Sequence, residues 1–165
     1  MDLDSKEKLM LPNLRYFTDS DSMIKDIIVH HGENTCRNKF EKSMISKTVQ
    51  KCDFGFVSFT KRANIGQKKK SKSAEYTVHG FILCREENFS VFISLICVSN
   101  QHKGAGSELL SNVIDYARNQ SEILRVTLHA LPELQSYYQK HKFDTVDTLR
   151  TTSGEVKVYQ MSLRL

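Results

Sequence analysis

The sequence has no tryptophan, only 2 prolines and 7 glycines among its 165 residues. This composition excludes collagen-like and proline-rich chains, and a hydrophobic share of 39% excludes a fully disordered one. No run of about 18 apolar residues is present, so we expect no membrane-spanning helix and no membrane partner. The opening stretch MDLDSKEKLM lacks the apolar core of a secretory signal. We therefore expect a cytoplasmic protein.

Cysteine is also sparse, with four residues at positions 36, 52, 84 and 97 and no CxxC pair. In a chain without a secretory signal, reduced thiols are the expectation rather than disulfides. His30, His31 and Cys36 form the nearest cluster of metal-ligating residue types, but zinc sites use closely spaced ligand pairs. The sequence therefore predicts neither a metal site nor a disulfide.

Acidic residues are absent from one strongly basic segment, Lys61 to Lys72, although the chain as a whole carries a net charge of only +5. Six of its residues are Lys or Arg. Such a patch could contact nucleic acid, an acidic protein or a nuclear-import receptor, which would add a nuclear location. Because Ser, Gly and Gln dilute the charge, we favour a solvated, mobile hairpin loop over a nucleic-acid contact, which stays open as the less favoured alternative.

Hydrophobic periodicity divides the chain into a loose tail, residues 1–12, and a single domain, residues 13–165. A strand at 14–17 precedes a helix ending near His30, where His31-Gly32-Glu33-Asn34 is expected to break it. A second helix carries Phe40, Met44, Ile45 and Val49 on one face. Three β-branched or aromatic segments follow, beginning near Phe54, Tyr76 and Phe89.

The second half predicts a long helix with the stripe Leu109, Leu110, Val113, a strand at 125–131 and a helix begun by Pro132. Two strands around a Ser153-Gly154 turn end the chain. The predicted order is β-α-α-β-β-β-α-β-α-β-β, an α/β (α+β) layer fold with a mixed, mostly antiparallel sheet and helices on both faces. An exposed last strand could pair with a second copy, so both a monomer and a homodimer are open.

A glycine-containing turn lies between the fourth strand and the third helix, as Gln101-His102-Lys103-Gly104-Ala105-Gly106-Ser107. Its two glycines allow close backbone approach to a ligand, and the helix start offers unpaired N–H groups with positive potential. Phosphate is the guest that such a turn favours. The P-loop pattern is absent, and the dinucleotide pattern fails because Leu109 stands where its third glycine belongs.

This turn resembles the Q/R-x-x-G-x-G/A signature of the GNAT superfamily, the acetyl-CoA-dependent N-acetyltransferases. A second segment, SYYQKHKF over residues 136–143, is similar to the family's A-x-F-Y-x-K-x-G-F segment. The distance between the motifs and the strand order also agree, and the resemblance covers roughly residues 14–165. It departs at Lys142, where the family has glycine, at a cost of about 1 kcal/mol if that residue is left-handed.

The resemblance implies a V-shaped cleft where the fourth and fifth strands splay apart, with acetyl-CoA as acetyl donor and no metal. It implies that the pantetheine follows the backbone of the fourth strand and that the pyrophosphate lies on the amides of the turn. The implied cofactor residues are Ile96, Cys97, Val98, Gln101, His102, Lys103, Gly104, Ala105, Gly106 and Ser107.

By the same resemblance, Tyr138 is the proton donor to the departing CoA thiolate, although its helical spacing also suits a core residue. The strand N–H of Val98 or a neighbour would stabilise the oxyanion. Residues 89–98 contain no acid to serve as general base, so His129 is the candidate, with Glu133 behind it.

Two functions follow for this sequence. The first is an N-acetyltransferase that moves acetyl from acetyl-CoA to a primary amine of a small molecule or protein by direct attack in a ternary complex. The alternative is a catalytically inactive GNAT-like binding module that uses the basic 61–72 loop for nucleic acid or protein. Affinity for CoA and the effect of Tyr138→Phe distinguish the two.

Overall fold

A computed structural model of the chain describes residues 11–62, 75–99 and 104–165. The elements follow the predicted order. Seven strands, β1 to β7, span Leu14–Thr18, Phe54–Lys61, Tyr76–Glu87, Ser90–Val98, Arg125–Ala130, Asp144–Arg150 and Val156–Arg164. Four helices, α1 to α4, span Ser22–Thr35, Lys42–Lys51, Ala105–Arg118 and Gln135–Lys140. A 3-10 turn at Pro132–Leu134 leads into α4.

The strands form one sheet in the order β1-β2-β3-β4-β5-β7-β6. Only β4 and β5 run parallel, and every other neighbouring pair is antiparallel. The mixed, mostly antiparallel sheet that the sequence predicted is therefore confirmed. The last strand is not at the edge, because β7 pairs with β5 on one side and with β6 on the other. The expectation of an exposed last strand was wrong, and β6 is the edge strand instead.

Two hydrophobic cores lie on opposite faces of this sheet. One packs α3 against the sheet through residues such as Leu109, Leu110 and Val113, all fully buried. The other packs α1 and α2 through residues such as Ile28 and Ile45. Helices therefore cover both faces, as predicted, and each sheet face contributes alternate strand residues to its core.

A β-bulge in β4 exchanges the faces of that strand. Leu83 pairs with Leu95 and Cys84 with Ile93, which leaves Ser94 as the extra residue. Val91 and Ile93 consequently belong to the α3 core, whereas Leu95 and Cys97 belong to the α1/α2 core. The bulge thus turns the end of β4 relative to its beginning, immediately before the glycine-containing turn.

The first helix does not break at His31-Gly32, contrary to the sequence prediction, and continues to Thr35. Gly32 is buried where α1 crosses α2, and a Cβ there would lie 2.8 Å from a methyl carbon of Ile45. The glycine therefore permits close helix packing rather than ending the helix. Its sequence neighbours Glu33 and Asn34 gave a false stop signal because tertiary contact, not local propensity, decides this position.

Two further positions near the ends of elements bear on the expectations from sequence, and only the first differs from them. Leu11, in the segment expected to be a loose tail, is buried in the α3 core, and its N–H donates to a carboxylate oxygen of Glu108 at 2.7 Å. Lys142 has φ +72°, the left-handed conformation that the family's glycine adopts freely. The sequence had identified this position as the place where a non-glycine residue would be strained.

Candidate functional site

The candidate site is a cleft between β4 and β5. The two strands pair only from Ser90 with Arg125 to Ile93 with Leu128, although β4 continues to Val98 and β5 to Ala130. Beyond the last pair lies a cleft of about 690 Å³, within the usual size range for small-molecule sites. The V-shaped opening expected between the fourth and fifth strands is therefore present at the bulged end of β4.

The first wall of the cleft consists of the end of β4 and the start of α3. Ile96, Cys97 and Val98 line it from the strand, and Gly104, Gly106 and Ser107 line it from the turn and the helix. The side chain of Ala105 is fully buried in the α3 core instead. Gln101, His102 and Lys103 were also predicted here and lie outside the described residues.

Local geometry explains why α3 begins facing the cleft. Gly104 has φ +78°, a left-handed conformation that reverses the chain before the helix, and its carbonyl accepts the N–H of Glu108 at 3.1 Å. The N–H groups of the first helical turn precede any helical carbonyl that could accept them. Together with the helix dipole they make this end of the cleft electropositive, which suits an anionic group.

The second wall is the segment from the end of β5 through α4. Leu131, Glu133, Leu134, Tyr137 and Tyr138 line the cleft from this side. Tyr138 is only 5% exposed, and its ring packs at 5.9 Å from that of Phe143. Burial, with a smaller contribution from Tyr137, raises the pKa of Tyr138 to about 12. The phenol is therefore protonated at neutral pH and can act as a proton donor.

The predicted base candidates occupy two different places. Glu133 lines the main cleft. His129 is exposed on β5, where its ring lies 5.2 Å from that of Phe92, and it lines an adjoining pocket of about 200 Å³. Ser94 and Tyr138 also line this pocket, so His129 and Tyr138 face a shared space, although His129 does not line the main cleft.

A third wall comes from residues that were not among the predicted site residues. The link between α1 and α2 contributes Cys36, Arg37, Lys39 and Phe40 to the cleft. Arg37 and Asn38 both have φ +56°, so this short link folds back sharply over the end of β4. The sequence carries no motif here, because the link reaches the site only through the packing of α1 on the sheet.

This third wall is covalently attached to the first. Cys36 and Cys97 form a disulfide with an S–S distance of 2.04 Å, which corrects the expectation that all four thiols are reduced. The pair was hidden from sequence reasoning because 61 positions separate the two residues, whereas α1 ends beside the end of β4. Cys52 and Cys84 are free and buried, and burial raises the pKa of both thiols. They are therefore protonated core residues.

A hydrogen-bonded trio that the sequence did not reveal joins the first two walls. The hydroxyl oxygen of Ser107 lies 3.2 Å from that of Tyr137 and 3.1 Å from Nε2 of His141. The rings of Tyr137 and His141 are 4.9 Å apart. Their i, i+4 spacing, on α4 and the residue that follows it, was visible in the sequence, but their contact with α3 required the fold.

Three further observations concern other classes of site. Within the described residues, no group of three His, Cys, Asp or Glu side chains clusters as metal ligands would. No helix in that part of the chain is long and apolar enough to cross a membrane. Most of the basic 61–72 segment lies outside the described residues, and of its first members Lys61 forms an ion pair with Glu75 at 3.8 Å.

Comparison with known proteins identifies the family of this chain. The sequence matches the family model for the acetyltransferase (GNAT) domain over residues 56–165. A comparison with curated protein sequences finds no match.

Among solved structures, the ribosomal-protein-S18-alanine N-acetyltransferase from Escherichia coli aligns with 92% of this chain and 93% of its own, at 13% identity and a TM-score of 0.63. Tetrahymena GCN5 aligns with 92% of this chain and 95% of its own, at 18% identity and a TM-score of 0.61. An aminoglycoside 6′-N-acetyltransferase solved with coenzyme A aligns with 92% of this chain and 96% of its own, at 11% identity and a TM-score of 0.61.

At these identities the structural neighbours establish a shared fold, and the family match covers two thirds of the chain. The splayed β4–β5 pair, the turn before α3 and Tyr138 on α4 all lie within the residues that the family model matches. The chain belongs to the GNAT family and is an acyl-CoA-dependent N-acetyltransferase.

Proposed function

We propose that the protein transfers an acetyl group from acetyl-CoA to a primary amine of a small molecule or protein, by direct attack within a ternary complex. The observation that carries this proposal is the cleft opened by the incomplete β4–β5 pairing, with the buried phenol of Tyr138 on its wall. The cleft has the α1–α2 link on one side and α4 on the other, and direct attack requires that this space hold donor and acceptor together.

The residues present fit acetyl-CoA. A strand edge without a neighbouring strand offers backbone hydrogen bonds to the amides of the pantetheine, and this edge runs along Ile96, Cys97 and Val98. The electropositive start of α3 at Gly104, Gly106 and Ser107 suits the pyrophosphate. In the proposal these residues, with Gln101, His102, Lys103 and the amide of Ala105, hold the donor, which supplies a reactive thioester.

Two proton movements are assigned to the protein. An aliphatic amine with a pKa near 10 is protonated at neutral pH and must lose a proton before it can attack. We assign this step to His129, which shares a pocket with Tyr138, and Glu133 is the second candidate. Tyr138 donates its phenolic proton to the departing thiolate. The phenol carries this proton across the neutral range, and burial raises its pKa above the ordinary value of about 10.

Stabilisation of the negative charge that develops on the thioester carbonyl oxygen is assigned to the backbone. A peptide N–H near the end of β4, at Val98 or a neighbour, would donate to the oxygen that becomes negative during attack. The amine acceptor would approach from the side of the α1–α2 link, where Arg37, Lys39 and Phe40 line the cleft. Both polar residues in this group are cationic, so we expect an acceptor with a negative group near its amine.

Binding is the first test of the proposal. A thermal-shift titration with acetyl-CoA and CoA, and with ATP as a control, should show stabilisation by both CoA forms and not by ATP. At one hundred times the dissociation constant the added stability is about 2.7 kcal/mol. Absence of a shift in folded protein would contradict acyl-CoA binding and would favour the alternative of a binding module.

Catalysis is the second test, using an amine panel that contrasts polycationic polyamines, which carry no acidic group, with lysine peptides rich in Asp and Glu. Tyr138→Phe should lower kcat by about 100-fold while leaving CoA affinity unchanged, because general acids contribute about 10²–10⁴-fold. Tyr76→Phe, on β3 against Phe59, is the matched control and should leave kcat unchanged. An equal effect of the two variants would exclude Tyr138 as the proton donor.

A further inference from the structure

The hydrogen-bonded trio of Ser107, Tyr137 and His141 lies beside the turn that begins α3. Ser107 is the central member, since its hydroxyl contacts both the hydroxyl of Tyr137 and Nε2 of His141. Tyr137 and Ser107 line the main cleft, whereas His141 is half-buried behind them. Tyr137 and Ser107 therefore face the cleft, and His141 supports them from behind.

The position of the Tyr137 hydroxyl is fixed by its neighbours. A Cβ built on Gly106 would lie 3.1 Å from this oxygen, so the hydroxyl sits directly over the first turn of α3. A larger residue than glycine would crowd the hydroxyl at this point. The phenol of Tyr137 and the unpaired N–H groups of the helix start thus face the same end of the cleft.

Counting hydrogens shows what the trio can offer. A hydroxyl carries one hydrogen, and a neutral imidazole has one N–H donor and one acceptor nitrogen. If Nε2 of His141 donates to Ser107, and Ser107 donates to Tyr137, then the hydrogen of Tyr137 remains free to point into the cleft. An anionic oxygen in the cleft favours this direction, because it accepts the remaining hydrogen.

We propose that the hydroxyl of Tyr137 binds a phosphate oxygen of acyl-CoA, and that Ser107 and His141 are positioning residues that hold this hydroxyl over the start of α3. The inference rests on the proposed function only in that acyl-CoA occupies the cleft. It assigns a cofactor contact to α4, the wall opposite β4, and separates the task of Tyr137 from that of Tyr138.

Adjacent tyrosines can divide these tasks because they point to different surroundings. Tyr138 is 5% exposed, packs on Phe143 and also lines the pocket that contains His129. Tyr137 contacts the start of α3 and the imidazole of His141. Their rings meet edge to face at 5.1 Å, with the Tyr137 hydroxyl beside Gly106 and Ser107 and the Tyr138 ring beside Phe143.

The test compares affinity for CoA with affinity for pantetheine, which lacks the phosphates. Titration calorimetry gives the Kd for CoA, and displacement of CoA gives the Kd for pantetheine. Tyr137→Phe should weaken CoA binding by about 10-fold, because a hydrogen bond to a charged oxygen is among the strong ones. Pantetheine binding should be unchanged. Tyr76→Phe is the matched control and should change neither value.

The positioning residues have a separate readout. His141→Gln and Ser107→Ala should each weaken CoA binding by a few-fold in the wild-type background. Neither should weaken it further in the Tyr137→Phe background, because the hydroxyl they hold is then absent. An effect of equal size in both backgrounds would overturn their positioning role.

Each remaining outcome decides between the proposals. Equal weakening of CoA and pantetheine by Tyr137→Phe, or no weakening of either, would overturn the assignment of Tyr137 while leaving acyl-CoA binding intact. If the folded wild-type protein binds no CoA at all, the proposed function itself fails. Thermal melts of every variant establish that the comparison is made on folded protein. Unlike His141→Gln, Ser107→Ala tests the support of the Tyr137 hydroxyl without removing an aromatic ring.

Discussion

The two halves of β4 are held in place by different means. From Ser90 to Ile93 the strand has β3 on one side and β5 on the other. From Ser94 to Val98 it has β3 on one side and the cleft on the other, and Cys97 is instead bonded to Cys36. The bulge at Ser94 marks the boundary between the halves.

This difference shows how the sheet accommodates a ligand site without losing the order of its strands. A strand end that lacks one neighbour leaves backbone groups available to a ligand, but it also loses the hydrogen bonds that would fix it. In this protein the covalent link to the end of α1 restrains the open half. Both halves contribute buried side chains, but only the open half leaves one edge of its backbone facing the cleft.

The largest expected effect is the loss of the restraint on the open half. Reduction of the Cys36–Cys97 bond should lower the free energy of unfolding by about 4 kcal/mol, the chain-entropy estimate for a loop of this length. Urea unfolding with and without a dithiol reductant measures it. The Cys36→Ser, Cys97→Ser double variant is the control, and it should have the lower stability with no response to reductant. Equal stability of oxidised and reduced wild type would contradict the comparison.

The second effect uses one substitution in each half. Ile93→Ala, at a buried site, should lower stability by about 2–4 kcal/mol. Ile96→Ala, at a half-buried position on the cleft, should lower it by about 1 kcal/mol because less apolar surface is lost, while weakening CoA binding several-fold. Urea unfolding and calorimetry of both variants measure the two quantities. If the two substitutions affect stability and binding alike, the halves do not differ as described.

A third prediction concerns the wall opposite β4, where Lys142 ends the turn after α4 with φ +72°. Lys142→Gly should raise the free energy of unfolding by about 1 kcal/mol, because glycine adopts this conformation without the steric cost of a side chain. Lys140→Gly, at the last residue of α4, is the matched control and should lower it, because glycine there adds backbone freedom to the unfolded chain without relieving a left-handed conformation. Two changes of the same sign in thermal melts would refute the explanation.

The smallest expected effect is a pH dependence of stability that arises from His141, at the end of the same wall. Burial lowers the pKa of His141 below its ordinary value of about 6.5, so the unfolded chain takes up a proton at this site before the folded protein does. Stability from this residue is therefore fully present above pH 6.5 and declines as the pH falls through and below it. The melting temperature of wild type minus that of His141→Gln should decrease from pH 7.5 to pH 5. A constant difference would show that His141 does not titrate in a buried setting.

Element order could be predicted from sequence because each segment carries its own local signal. The helix α3 is marked by the stripe Leu109, Leu110 and Val113, and the strand after Ser90 is marked by its β-branched and aromatic residues. Both signals depend only on residues close together in the chain. The incorrect break at Gly32 arose where a contact with Ile45, thirteen positions away, outweighs the local signal. The position of β7 inside the sheet likewise depends on pairing that no single segment encodes.

The candidate site was only partly accessible to the same reasoning. Gly104, Gly106 and Tyr138 belong to short motifs with a physical task, and the fold brings all three to one cleft. The Cys36–Cys97 bond, the α1–α2 link and the contact of His141 with Ser107 join segments far apart in the chain. Such contacts have no local signature, so a single sequence could not reveal them.

The disulfide has a practical consequence for handling the protein. Because Cys36 and Cys97 both line the cleft, an oxidised and a reduced chain would differ by two hydrogen atoms at the candidate site. A purification buffer that contains a thiol reductant selects one species, and a buffer without it selects the other. Intact-mass measurement and thiol counting of each preparation therefore belong beside every rate or affinity recorded for this enzyme.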